Sequence, residues 1–153
     1  MAMNKGMYSS NTNEWETPQD LFDRLDAEFN FTLDPCASRH NKKCPKYFSI
    51  KTDGLKKNWV GSVFMNPPYG QAIKHWIKKA YHNESLKDSV KVVVCLIPAR
   101  TDTRYWHDYV MKASEIRLIK GRLRFSNKDP APFPSAIVIF NGHKGPKFIS
   151  FKR

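Results

Sequence analysis

Val60-Gly61-Ser62-Val63-Phe64-Met65 runs straight into Asn66-Pro67-Pro68-Tyr69-Gly70, and the join decides how the chain is built. The first six residues are apolar or small and suit a short buried strand. Two consecutive prolines bring no amide hydrogens to a ladder, so the strand must stop and 66–70 must form a loop beyond its carboxyl end. Ala72, Ile73, Trp76, Ile77, Ala80 and Tyr81 then recur at helical spacing, with Lys74, Lys78 and Lys79 opposite them, which predicts an amphipathic helix. Residues 90–97 are a nearly unbroken β-branched run, the pattern of a central strand covered on both faces. Strand, helix, strand is the unit of an α/β fold.

The flanks extend the alternation. Thr17-Pro18-Gln19-Asp20 combines a capping hydroxyl, a proline at the first helical position and an acid three residues after the cap. Leu21, Phe22, Leu25 and Phe29 follow on one face, so a helix is expected to about Asn30. Residues 31–35, stopped by Pro35, read as a strand whose carboxyl end delivers Asp34. On the other side, Thr101 and Asp102 are expected to cap a helix through about Ala113, with Trp106, Val110 and Ala113 inward. Residues 115–120 and 135–140 are the last two strand candidates. The expected architecture is a single-domain, Rossmann-like α/β fold over 15–153, with a polar, flexible arm at 1–14. Its sheet is mostly parallel, has helices on both faces, and finishes in an antiparallel strand. Ligands of such sheets gather at the carboxyl ends of strands, where Asp34, the Asn66 loop and Pro98-Ala99-Arg100 all fall.

Composition narrows the partners. The chain has 153 residues, 41% of them hydrophobic, and a net charge of +12, too apolar for disorder and basic enough to make nucleic acid the first candidate partner. No stretch approaches the ~20 apolar residues of a membrane span, and the start has no apolar signal core, so a cytoplasmic protein without a membrane partner is expected. Three cysteines give no disulfide framework. Cys36, His40 and Cys44 form neither a CxxC nor an HxxxH pair, so no metal is expected.

Asn66-Pro67-Pro68-Tyr69 taken alone is also a plain turn, but in its context it resembles the motif of amino methyltransferases that use S-adenosylmethionine, among them the DNA adenine-N6 enzymes. The chemistry suits the letters. An exocyclic adenine amine is a poor nucleophile because its lone pair is delocalised into the ring. Two acceptors, the Asn66 side-chain oxygen and the Pro67 carbonyl, can hold both hydrogens and leave the lone pair aimed at the donor. Tyr69 offers a ring for stacking on the base, and Pro68 stiffens the loop.

Other segments resemble the same family in order. Trp15-Glu16-Thr17-Pro18 is similar to the aromatic and Thr-Pro element packed near the methionine end of the cofactor. Leu33-Asp34-Pro35-Cys36-Ala37 is similar to the acidic donor-binding motif, and implies that Asp34 engages the amino-acid moiety of the donor. No Gly-x-Gly follows it, and only 31 residues lie between Asp34 and Asn66. Asp53, in Asp53-Gly54-Leu55, is the candidate second acid for the ribose or the adenine of the cofactor, and equally a surface turn. With Gly121-Arg122-Leu123-Arg124-Phe125 and Pro132-Phe133-Pro134-Ser135 added, the set resembles the compact phage-type DNA N6-adenine methyltransferases over about 15–140. The resemblance implies methyl transfer from S-adenosylmethionine to adenine N6 in double-stranded DNA, with base flipping and without an obligate protein partner or nuclease. If encoded by a phage, the protein would act in the host cytoplasm.

The DNA side is expected from Arg100, Arg104, Lys120, Arg122 and Arg124, placed to neutralise phosphates around an extruded base, and from Phe125 and Phe133 closing the pocket. A short or relaxed target sequence would be read by the loops between Gly121 and Pro134. Two alternatives remain open: modification of an RNA base, and a nucleic-acid-binding module on a decayed methylase scaffold.

Overall fold

The computed structural model describes residues 15–86, 89–125 and 129–152; the expected arm at 1–14 lies outside them, as do 126–128 of the expected recognition loop. The double-proline join behaves as its chemistry requires. Strand β1 (Gly61–Met65) ends at Asn66, α2 (Ile73–Leu86) follows, and β2 (Val90–Pro98) returns beside β1 in parallel register, Val63 facing Val93. Helix α1 (Gln19–Phe29) precedes this unit; α3 (Arg104–Asp108), β3 (Glu115–Ile119), β4 (Ser135–Phe140) and β5 (Lys147–Phe151) follow it. The strands form one sheet in the order β1-β2-β4-β3-β5.

This sheet is mixed, not mostly parallel as expected. β1 with β2 and β3 with β5 pair in parallel, while β4 is antiparallel to both of its neighbours, β2 and β3. The reversed strand is therefore not the last one. β5 was not expected from the sequence, and it adds to β3 at the far edge. Because β4 alone is reversed, the carboxyl ends of β1, β2 and β3 share one edge, and the residues entering β4 meet them there.

Segment 31–35, expected as a strand, is reduced to isolated bridges, Leu33 to Val63 and Asp34 to Tyr47. Thr32 and Leu33 amides donate to the Ser62 carbonyl and the Phe64 amide donates to Leu33, so the segment still lies along β1. Asp34 has already left that ladder for 46–48, and Pro35 has no amide with which to continue.

Helices cover both faces. Phe22 of α1 packs edge-on against Phe64, and Arg24 stacks over Phe151. On the opposite face Tyr81 of α2 meets Phe140. The guanidinium of Arg117 in β3 forks onto Glu28 of α1 at 2.7 and 2.6 Å and also donates to Glu115. That fork ties α1 to the sheet, holds the Glu28 carboxyl below its ordinary value and raises Arg117.

Two helix starts differ from expectation. Thr103, not Thr101 or Asp102, caps α3, its hydroxyl accepting from the Trp106 amide at 3.3 Å; the helix breaks at Tyr109 into a 3-10 turn, Val110–Lys112. At α1 Pro18 stands at the cap without a side-chain hydrogen bond, because Thr17 is committed elsewhere. No helix among the described residues is long and apolar enough to cross a membrane.

Candidate active site

Beyond β1 the chain turns through Asn66-Pro67-Pro68-Tyr69, and the side chains of this loop are held individually. The Asn66 amide nitrogen donates to the Trp15 carbonyl and to the Thr17 hydroxyl, the latter at 2.9 Å. A carbonyl only accepts, so Nδ2 must face Trp15 and Oδ1 is turned away from it. Oδ1 is buried and has no hydrogen-bond partner among the described residues. Such an acceptor is costly unless something arrives to donate to it. The hydroxyl expected to cap α1 thus orients Asn66.

Consecutive residues of the loop line two cavities that share Trp15. Asn66, Pro67 and Pro68 belong to a cavity of about 160 Å³, with Thr17, Asp34 and Lys43 also on its wall. It is polar and charged. Asp34 is buried, and loss of water raises its carboxyl to about 6, against the pull of amide donors from Lys43 and Cys36. The Lys43 amide reaches Asp34 Oδ2 at 3.0 Å, while its ammonium is turned to Gln19 at 2.8 Å. Asp34 therefore faces the cavity without a cationic side chain bonded to it, a setting that favours an incoming ammonium.

Tyr69 and Gly70 belong to the second cavity, about 290 Å³, lined also by Arg100, Thr103, Tyr105 and Phe133. Aromatic edges frame it. Trp15 meets Phe125 and Phe133 at 5.4 and 5.3 Å between ring centres, and Tyr69 meets Phe133 at 5.5 Å. The Tyr69 hydroxyl donates to the Leu96 carbonyl at 3.1 Å, and burial pushes its phenol well up. What Tyr69 offers the cavity is its ring.

Other expected residues are placed less directly. Pro18 and Pro35 flank the first cavity without lining it. Asp53, in left-handed backbone at φ 56°, accepts from the Leu55 amide and lies 3.9 Å from the Lys56 ammonium; it is not on the cavity wall. The rest of its motif is a brace. A Cβ on Gly54 would fall 1.9 Å from the Pro35 carbonyl oxygen, and Trp59 Nε1 holds the Gly54 carbonyl at 2.9 Å. Only glycine allows that approach, which sets the wall behind Asp34.

Of the expected DNA-facing residues, Arg100 lies on the second cavity with its guanidinium 5.7 Å above the Phe133 ring. Arg122 donates to the Ala131 carbonyl at 3.1 Å. Arg104, Lys120 and Arg124 are exposed around the same sheet edge. Phe125 and Phe133 are buried, as walls of the aromatic frame. Asn41, Lys43, Thr103 and Tyr105 line the cavities although the sequence did not single them out. Lys43 sits in a segment without periodicity, and Tyr105 was hidden within a helix read for its inward face.

Residues 6–150 match a family model described as DNA N-6-adenine-methyltransferase (Dam). A protein of Escherichia phage T1 named DNA N-6-adenine-methyltransferase is 30% identical over 115 residues, which cover 71% of this chain and 45% of that protein. A solved structure, the type I restriction-modification system methyltransferase subunit from Streptococcus thermophilus, aligns with a TM-score of 0.49 at 14% identity, over 94% of this chain and 48% of the other. The chain spans less than half the length of each.

Proposed function

From the premise that the chain belongs to the DNA N-6-adenine-methyltransferase family, we propose that it moves a methyl group from S-adenosylmethionine to N6 of an adenine turned out of double-stranded DNA. The observation that carries this reading is the buried, partnerless Oδ1 of Asn66. An amide whose donor end is fixed twice and whose acceptor end is empty suits an exocyclic amine, and the neighbouring Pro67 carbonyl is the second acceptor.

The polar cavity fits the donor. Asp34 offers a buried carboxylate to its ammonium, Trp15 and Thr17 pack beside it with Pro18 and Pro35 behind, and we assign Asp53 to its nucleoside half. When bound, the donor supplies a sulfonium-activated methyl group, so the chain needs no general base at the attack step. The work left to the residues is orientation. Asn66 and Pro67 hold the amine, Tyr69 and Phe133 present ring faces and edges to the base, and Phe125 closes the frame. Arg100, Arg104, Lys120, Arg122 and Arg124 neutralise phosphates around the opening.

Incubation with radiolabelled donor and unmethylated duplex DNA, RNA or protein, followed by digestion, tests the reading. Label recovered as N6-methyladenosine from RNA, label on protein, or no transfer from a bound donor would each contradict it; N6-methyldeoxyadenosine is the expected product.

A further inference from the structure

The aromatic cavity contains two phenols, and they are not equivalent. The Tyr69 hydroxyl is spent on the Leu96 carbonyl. Tyr105, only 8% exposed on the wall of the same cavity, has a hydroxyl with no hydrogen-bond partner among the described residues. The nearby Thr103 hydroxyl is close enough to temper the phenol's upward shift, yet its own hydrogen bonds run to the Arg100 carbonyl at 2.8 Å and from the Trp106 amide, and none joins it to Tyr105. The remaining walls are largely aromatic or aliphatic, from Trp15, Tyr69, Ile73, Pro98 and Phe133. A lone phenol in such a setting is poorly placed for the free protein and well placed for a ligand with an acceptor on its edge.

We propose that Tyr105 is a specificity residue whose hydroxyl donates to a ring nitrogen of the extruded purine while Asn66 and Pro67 hold the exocyclic amine. This rests on the methyl-transfer reading and adds a second point of recognition, on the ring. Adenine carries unprotonated ring nitrogens at N1, N3 and N7, each an acceptor in the plane of the base. Burial holds the phenol above its ordinary value, so its hydrogen is retained for donation at neutral pH. A site that hydrogen-bonds its substrate rejects an analogue lacking the acceptor because its own polar group is then left unpaired.

Tyr105→Phe removes one atom and no hydrogen bond among the described residues, so the variant is expected to melt at or above the wild-type temperature. Single-turnover transfer is measured for both proteins on a duplex carrying the mapped target adenine and on three others in which it is replaced by 1-deaza-, 3-deaza- or 7-deazaadenine. Wild type should lose roughly tenfold, the scale of one buried hydrogen bond, on one of the three analogues; Tyr105→Phe should lose the same on adenine and nothing further on that analogue. Equal rates for wild type and variant on adenine would overturn the assignment, as would a variant deficit that persists on every analogue. No adenine transfer by wild type would overturn the underlying reading itself.

Discussion

The two cavities on either side of Trp15 are a few residues apart in the loop and opposite in character. One is walled by Asp34, Lys43, Thr17 and Asn66, the other by Trp15, Tyr69, Tyr105 and Phe133. The polar cavity holds a carboxylate that burial raises to about 6, a setting that an incoming cation would relieve. The aromatic cavity presents ring faces and edges beside the Arg100 guanidinium, which suits a flat heterocycle. Under the proposed reading, the difference in wall chemistry would keep the two reactants apart, with Asn66 at the boundary.

Removing the boundary should break the comparison most visibly. Asn66→Ala is expected to lower transfer by about 10²–10³-fold or more, the scale of losing a pre-organised polar group, while donor affinity by calorimetry stays within a few-fold. A folded variant that loses donor binding instead would mean that Asn66 serves the donor rather than the amine.

The next largest effect concerns the polar cavity. Asp34→Asn should weaken donor binding by ~1.5–3 kcal/mol, and yet melt no lower than wild type at pH 8, because it removes a charge that burial penalises. In the free wild type the raised carboxyl favours the protonated form. Its contribution to stability is present below the ordinary value of 3.8 and is lost as pH rises through about 6. Donor binding has the opposite sign: affinity for the ammonium should increase as pH rises through about 6 and then level off. A donor affinity flat from pH 5 to 8 would show that this carboxylate does not meet the donor.

Around the aromatic cavity the effects are smaller. Replacing Arg100, Arg104, Arg122 or Arg124 singly by Ala should make the log–log salt dependence of DNA affinity shallower by about one unit if the residue touches phosphate. An arginine that reads a base would instead relax one position of the target sequence, and Arg122 or Arg124 is the expected case. Wild-type slopes and unchanged methylation profiles in all four would remove DNA from this face.

Much of this was legible beforehand, and the rest was not for identifiable reasons. β1, β2, α2 and β4 announce themselves because apolar periodicity and paired prolines are local signals. β5 does not: Lys147–Phe151 is an edge strand with three of its five residues exposed and only Phe151 buried, and only its pairing with β3 gives it a place. The stretch from Cys36 to Trp59 is built from side-chain turns, Ser38 with Asn41 and Ser49 with Thr52, so periodicity could not show that it carries Lys43 to Asp34. Thr17 reads as a cap because a hydroxyl before proline usually is one, and nothing local announces that Asn66 claims it. Motif names Asp34, Asn66 and Tyr69, whereas the division of the walls between two cavities belongs to the tertiary structure.

A control away from both cavities should give the smallest effect. Glu28→Ala removes both hydrogen bonds of the Arg117 fork and leaves Arg117 with Glu115, and with Glu28 half exposed the loss should be at most about 1 kcal/mol. The depressed carboxyl contributes its stability above the ordinary 4.5, and the contribution fades as pH falls through its lower folded value. Denaturant melts at neutral and acid pH check this, with donor and DNA affinities expected to stay at wild-type levels.

The most direct test of the divided site is a crystal structure of the protein with S-adenosylhomocysteine and a duplex bearing the target adenine. The amino-acid end of the ligand is expected at Asp34, and the extruded adenine against Tyr69 with its exocyclic amine on Asn66 Oδ1 and the Pro67 carbonyl. A ligand bound away from Asp34, or an adenine still stacked in the duplex beside an empty aromatic cavity, would contradict the divided site.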